Sequence, residues 1–162
     1  MQLVLIRHGI AEDARDGDDA ARELTEEGRR KMRQGAAGLR EIVDTLDVIA
    51  ASPLVRAQQT AEIVAKDYGK LPIVTVKGLM PESPPTELMY WLEEQDANVI
   101  AIVGHEPHLG KAVTWFMTGV ENSHVEMTKG GAAMLEFHSR VGAGVASLRW
   151  LLTGSQLRSL GK

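Results

Sequence analysis

Two histidines and two arginines lie where their side chains could bind and attack a phosphoryl group. Arg7 and His8 directly follow an apolar run, Arg56 lies shortly after another, and His105 follows a third. Guanidinium groups match phosphate oxygens with planar pairs of N–H donors. A neutral imidazole can attack phosphorus, and a protonated one can stabilise the charge that develops on the oxygens. Such catalysis rests on positioning and electrostatics and requires no metal.

The four side chains converge only if the elements that carry them are neighbours in the fold. Strands are predicted at residues 2–6, 46–51, 73–76, 98–103, 132–137 and 145–152. Helices are predicted at residues 25–44, 52–68, 86–95 and 108–117, with a short helix or tail at 155–162. This alternation predicts an α/β fold, a three-layer α/β/α sandwich with a mostly parallel central sheet. Sites in such sheets lie at the carboxyl ends of the strands.

Local signals set the expected helix ends. Thr25 is a good N-cap and is followed by two glutamates, which the helix dipole favours. Ser52 and Pro53 read as a cap and a first helical residue, so this helix should point its amide groups towards an anion. Gly69 is expected to end that helix in the left-handed conformation, and Gly9 lets a ligand approach the backbone after His8.

Four segments resemble motifs of the histidine phosphatase (phosphoglycerate mutase-like) superfamily. They are residues 5–9 (LIRHG), 24–28 (LTEEG), 51–61 (ASPLVRAQQTA) and 103–107 (VGHEP). The segments occur in the order of the family, each at a predicted junction between elements, and together they extend over nearly the whole chain. In its short length the chain is most similar to the compact SixA-type phosphohistidine phosphatases. The resemblance therefore implies that the three-layer α/β/α sandwich has the phosphoglycerate mutase-like fold.

The resemblance also implies roles for individual residues. His8 corresponds to the phosphorylated nucleophile, and Arg7, Arg56 and His105 correspond to the groups that bind and polarise the phosphoryl group. The sequence also offers weaker candidates for binding the phosphate, which are Gly9, Arg22 and Ser52.

A proton donor for the leaving group is harder to assign. Glu82 lies shortly after the third predicted strand, where many members of the superfamily place a carboxylate, and Glu106 is adjacent to His105. Both are candidates for general acid catalysis. SixA-type enzymes often lack a clear acid at either place. The labile P–N bond of phosphohistidine, with imidazole as a good leaving group, gives a physical reason.

Other interpretations of these residues remain open. His105 and His108 have the spacing of two zinc ligands on a helix, but no third ligand has suitable spacing, so we expect no metal. Arg22 could reach the phosphate or pair with the acidic loop at residues 12–19. That loop is expected to be solvated, or to screen against very acidic substrates.

Composition limits the classes of function. A chain of 162 residues fits one domain, residues 1–162, and the absence of cysteine excludes thiolate chemistry and suits the cytoplasm. A net charge of -4 argues against a nucleic-acid partner, and no apolar run approaches the length of a membrane span.

The sequence thus predicts a cofactor-free phosphatase. The favoured substrate is phosphohistidine on a protein, such as a histidine-phosphorylated signalling or carrier domain. A small phosphorylated metabolite or sugar phosphate is the alternative, and a phosphate-binding regulatory module without turnover is a third.

Overall fold

A single six-stranded sheet organises the computed structural model, which describes all 162 residues. Its strands are β1 (Gln2–Arg7), β2 (Val48–Ala51), β3 (Ile73–Thr75), β4 (Val99–Gly104), β5 (Ala132–Phe137) and β6 (Ala146–Leu152). The spatial order is β3-β2-β4-β1-β5-β6. The first four strands in this order pair in parallel, and β5 and β6 add antiparallel partners at one edge. The predicted mostly parallel sheet is confirmed.

Helices cover both faces of the sheet, as predicted. They are α1 (Glu26–Arg40), α2 (Val55–Asp67), α3 (Pro85–Glu93), α4 (His108–Thr118) and α5 (Gly154–Leu160). One buried apolar cluster joins α1, α2 and α5 to the sheet, and a second joins α3 and α4 to its other face. None of the five helices is long and apolar enough to cross a bilayer. The architecture is the three-layer sandwich expected from the alternation of elements.

The central strand β1 shows why both layers form. Val4 and Ile6 pack into one apolar cluster, and Leu3 and Leu5 pack into the other. Successive side chains of a strand point to opposite faces, so an unbroken apolar run must be covered on both sides. The chain therefore leaves the sheet only where apolar residues stop, at Arg7.

Two predicted helix boundaries are wrong. The second helix begins at Val55, with Leu54 as its N-cap, and not at Ser52 and Pro53. The Ser52 hydroxyl does accept a hydrogen bond from the Leu54 amide at 3.3 Å, but this bond shapes a turn before the helix. The first helix ends at Arg40, four residues before the predicted end. Thr25 caps α1 as expected, through a bond from the Gly28 amide.

Gly69 adopts the left-handed conformation predicted after the second helix, with a φ of 80°. No sequence pattern predicted the short 3-10 helix Lys77–Leu79, which follows β3. A single turn of three residues is too short to leave a periodic pattern.

His108, at the start of α4, makes the stability of the fold depend on pH. Its side chain is 1% exposed and neither ring nitrogen has a hydrogen-bond partner. Burial, with a smaller contribution from the charge of Lys111, lowers the pKa of His108 to about 4. At His108 the unfolded chain therefore binds one more proton than the folded protein between about pH 4 and 6.5, and the stability that this residue contributes is lost as the pH falls through that window.

We expect the substitution His108→Met to reduce the sensitivity of the fold to acid. The free energy of unfolding lost between pH 7 and pH 5 should be smaller in the variant by about 2 kcal/mol, measured by urea unfolding. The control is His124→Met, which makes the same substitution at an exposed histidine. An equal loss in the wild type and in His108→Met would contradict this account.

Candidate active site

The pairing of β1 with β4 brings the two predicted histidines together. Arg7 lies opposite Gly104 in the parallel register, so His8 and His105 both leave the sheet at the same edge. The His8 amide extends the pairing by donating to the Gly104 carbonyl at 3.1 Å. The two imidazole rings lie 5.1 Å apart between centroids, with 54° between their planes. One tetrahedral anion can contact both rings at this separation.

Hydrogen bonds define the two nitrogens of His8. Nδ1 lies 2.7 Å from the Gly9 carbonyl oxygen, which can only accept, so Nδ1 carries the proton. Nε2 is then the unprotonated nitrogen, and it lies 3.3 Å from Nε of Arg56, a donor. The lone pair of Nε2 therefore faces the arginine that would bind an anion.

Burial keeps both imidazoles neutral near pH 7. Desolvation, aided by the charges of Arg56, Arg7 and Lys129, lowers the pKa of His8 to about 4, against the opposing bond to Gly9. Desolvation, aided by His8 and Arg56, lowers the pKa of His105 to about 3. His105 is thus neutral in the protein alone, because an unpaired cation is costly at a buried site. A bound dianion would favour the protonated form.

Arg56 links His8 to the acidic loop. Its side chain is buried, with Nη1 donating to the Asp19 carbonyl at 2.8 Å and Nη2 to the Asp19 carboxylate at 3.0 Å. The Val55 amide donates to the carbonyl of Ala20, which fixes the same loop over the start of α2. The carboxylate of Asp19 therefore occupies part of the donor set that an incoming phosphate would use.

Arg7 and Glu106 hold one backbone segment from two sides. Nη1 of Arg7 donates to the Met127 carbonyl at 2.6 Å, and Oε1 of Glu106 accepts from the Met127 amide at 3.2 Å. Nε of Arg7 is buried and has no partner in the protein. Burial raises the pKa of Glu106, and the Met127 amide and Arg7 oppose that shift. Met127 thereby orients both the guanidinium and the carboxyl group.

Two hydroxyl groups position the site residues. The Ser52 hydroxyl lies 2.8 Å from Nε2 of His105, whose Nδ1 is buried without a partner. Thr60 of α2 accepts from the Gly9 amide at 3.1 Å and donates to the Arg56 carbonyl at 2.8 Å. Ser52 therefore orients His105, while Gly9 uses its amide to join β1 to α2. A Cβ on Gly9 would lie 2.6 Å from Cγ of Met32, so a larger residue there must displace the Met32 side chain.

The remaining candidates make no hydrogen bond to His8. Arg22 donates to the Asp19 carboxylate at 3.0 Å and to the Glu12 carbonyl at 2.6 Å, so it pairs with the acidic loop. Glu82 is exposed after the 3-10 helix and has no hydrogen bond to any site residue. No group of three or more His, Cys, Asp or Glu side chains is arranged to hold a metal ion.

Sequence reasoning missed Asp19 and Met127 as neighbours of the site. Asp19 is one of several acidic residues in a polar loop, and nothing in the sequence separates it from the others. Met127 acts through its backbone, which the residue type does not reveal. Thr60 stands within the motif at residues 51–61 but carried no assigned role.

The chain matches the family model of the histidine phosphatase superfamily (branch 1) over residues 3–81. It is 35% identical over 136 residues to an uncharacterized protein of Picosynechococcus sp., covering 81% of this chain and 82% of that protein. It is also 37% identical over 90 residues to the mitochondrial serine/threonine-protein phosphatase Pgam5 of Drosophila grimshawi. That match covers 51% of this chain but only 31% of the Drosophila protein.

Solved structures share the fold over nearly the whole chain. The protein histidine phosphatase SixA in complex with tungstate superposes with a TM-score of 0.83 and 24% identity, covering 97% of this chain and 99% of that one. The alpha-ribazole phosphatase of Shigella flexneri superposes with a TM-score of 0.76 and 20% identity, covering 95% and 97%. At these identities the likeness shows the fold.

Because Asp19 and an anion compete for Arg56, we expect Asp19→Asn to bind tungstate more tightly than the wild type does. The gain should be about threefold to fivefold, the size of an exposed ion pair, measured by calorimetry at fixed ionic strength. The control Asp13→Asn removes the same charge from the same loop without touching Arg56. Weaker binding by Asp19→Asn, or the same gain in both variants, would contradict competition at Arg56.

Proposed function

This chain is a phosphatase of the histidine phosphatase superfamily, and we propose that it hydrolyses protein phosphohistidine through a phosphohistidine intermediate on His8. The observation that carries the proposal is the state of His8. Its Nδ1 proton is held by the Gly9 carbonyl, and its neutral Nε2 faces Arg56 beside the ring of His105. An imidazole in this tautomer, at a site of fixed cations, has the properties of a nucleophile towards phosphorus.

The first step forms one bond and breaks another. Nε2 of His8 attacks phosphorus with its lone pair, a new P–N bond forms, and the bond between phosphorus and the leaving imidazole breaks with its electron pair. Arg7 and Arg56 neutralise the oxygens, and Nδ1 of His105, which has no protein partner, lies free to donate to one of them. In the second step water attacks the phosphorus atom carried by His8, a new P–O bond forms, and the P–N bond breaks with its electron pair returning to Nε2. Both protons of water leave with inorganic phosphate, so His8 returns to its starting tautomer.

The site has only weak candidates for a proton donor, which supports a substrate whose bond to phosphorus is labile. Glu82 is exposed, and Glu106 is half-buried with one oxygen committed to the Met127 amide. The raised pKa of Glu106 favours the protonated carboxyl that a donor needs, so it is the better of the two candidates. A phosphoramidate has an imidazole leaving group that demands less assistance than an alkoxide. The fold shared with SixA supports the same choice.

A small phosphorylated metabolite is the second candidate substrate. The fold of the alpha-ribazole phosphatase is nearly as similar as that of SixA, which favours keeping this candidate. Rates on a phosphohistidine protein, compared with a panel of phosphorylated metabolites and phosphoserine peptides, separate the two. A kcat/KM at least about tenfold higher on a metabolite would assign the site to that metabolite.

We expect His8 to become phosphorylated during turnover. Rapid alkaline quenching of the reaction, followed by peptide mass spectrometry, should find the phosphoryl group on His8. His8→Ala should lower kcat by on the order of a thousandfold or more, because the nucleophile is lost. The control is His124→Ala, an exposed histidine outside the site, which should keep wild-type activity.

The test of His8 also needs controls for folding and for side-chain size. Circular dichroism and urea unfolding establish that His8→Ala is folded, and His8→Gln repeats the test with a side chain of similar size. Turnover without any phosphorylated His8, or with activity retained in both variants, would contradict the mechanism. Tight binding of phosphate with no release of product from any substrate would instead favour a phosphate-binding module.

A further inference from the structure

A groove of about 600 Å³ begins at the candidate active site and runs between α1, α5 and the loop before β5. Arg7 and Gly9, on either side of His8, form the end nearest the site. The other charged groups that line it are Lys31, Lys129, Arg158 and Glu126. Including Arg7, the groove therefore contains four cationic side chains and one carboxylate, although the chain as a whole carries a charge of -4.

The loop that contacts Arg56 has the reverse charge. A second depression, of about 510 Å³, lies along the loop that contacts Arg56 and Arg22. Its acidic side chains outnumber its two arginines, and they are Glu12, Asp13, Asp16, Asp18 and Glu23. A substrate whose phosphoryl group sits at His8, and which carries further negative charge, is repelled on this side and attracted into the cationic groove.

Two cations of the groove are free to meet a ligand. Lys31 lies 2.6 Å from the Glu27 carboxylate, and this pair offsets part of its charge. Lys129 and Arg158 make no salt bridge in the structure. Lys129 is exposed, and its charge is among those that lower the pKa of His8, which places it within electrostatic reach of the nucleophile.

The groove is preformed, because backbone packs closely on backbone beneath it. A Cβ added to Gly28 of α1 would lie 2.1 Å from the Ile10 carbonyl oxygen. One added to Gly154 of α5 would lie 2.7 Å from the carbonyl oxygen of Lys129. These contacts join both helices to the loops that flank His8. Their positions are fixed before a ligand arrives, so binding there requires little rearrangement.

We propose that the groove binds an acidic segment of the phosphoprotein substrate, adjacent to the phosphorylated residue. The proposal rests on the proposed function and adds the charge of the preferred substrate. Exposed residues line the groove along its length, among them Thr128, Lys129, Thr153 and Ser155, and no element covers it. Small-molecule pockets bury most of their ligand. An uncovered cationic groove suits an extended segment that keeps one side in water.

The test compares two phosphohistidine peptides that differ only in their flanks, one rich in Asp and Glu and the other rich in Asn and Gln. At low ionic strength the acidic peptide should have a kcat/KM about threefold to tenfold higher, as expected for a few exposed ion pairs. The double variant K129Q/R158Q should remove this preference, and added salt should weaken it. Because Lys129 lies within electrostatic reach of His8, activity on phosphoramidate, which has no flank, measures any effect of the double variant on the site itself and is divided out of both peptide rates.

A matched double variant controls for net charge. K66Q/K70Q removes two exposed lysines at the far end of α2 and should keep the preference for the acidic peptide. Binding of the unphosphorylated peptides, followed by fluorescence anisotropy, tests the groove without turnover. Binding could depend on the charge of the flank and on Lys129 and Arg158 although no peptide is hydrolysed. That result would support the groove proposal and contradict the proposed function.

Three results would overturn the groove proposal while leaving the proposed function intact. The first is equal kcat/KM on the two peptides. The second is a preference for the acidic peptide that persists in K129Q/R158Q. The third is dependence on Lys129 and Arg158 only for small phosphorylated carboxylates, with no effect of the peptide flank.

Discussion

The parallel pairing of β1 with β4 is the constraint on which the site depends. Its register ends both strands at the same level, so the residues that follow them, His8 and His105, emerge side by side. The apolar runs of both strands are covered by helices on each face, which fixes the register against slippage. The distance between the two imidazoles is therefore a property of the core rather than of flexible loops.

Burial then determines what the imidazoles can do. A histidine in water is partly protonated near neutral pH, and a protonated ring cannot attack phosphorus. Removing His8 from water beside two arginines keeps it neutral, while the Gly9 carbonyl selects the nitrogen that carries the proton. In the proposed mechanism, the permanent positive charge that holds a phosphoryl group comes from Arg7 and Arg56. The same cations create the competition with Asp19 and begin the cationic groove.

Much of this could be predicted from the sequence, because periodicity and strand ends are local properties. The apolar runs indicated the strands, and the four motifs indicated which residues follow them. The predicted start of α2 was wrong because serine followed by proline is a common pattern at the start of a helix. In this fold the Ser52 hydroxyl instead contacts His105. The contact of Asp19 with Arg56 and the assembly of Lys129 and Arg158 depend on how distant segments pack. No spacing in the chain encodes them.

In the proposed mechanism, the cationic groups and the two histidines surround a single anion, with Nε2 of His8 facing its central atom. A crystal structure of the protein with vanadate would show whether they do. We expect vanadium bonded to Nε2 of His8, with its oxygens contacted by Arg7, Arg56 and Nδ1 of His105. Vanadate bonded to Nδ1 of His8, or held only in the cationic groove with no contact to either histidine, would contradict it.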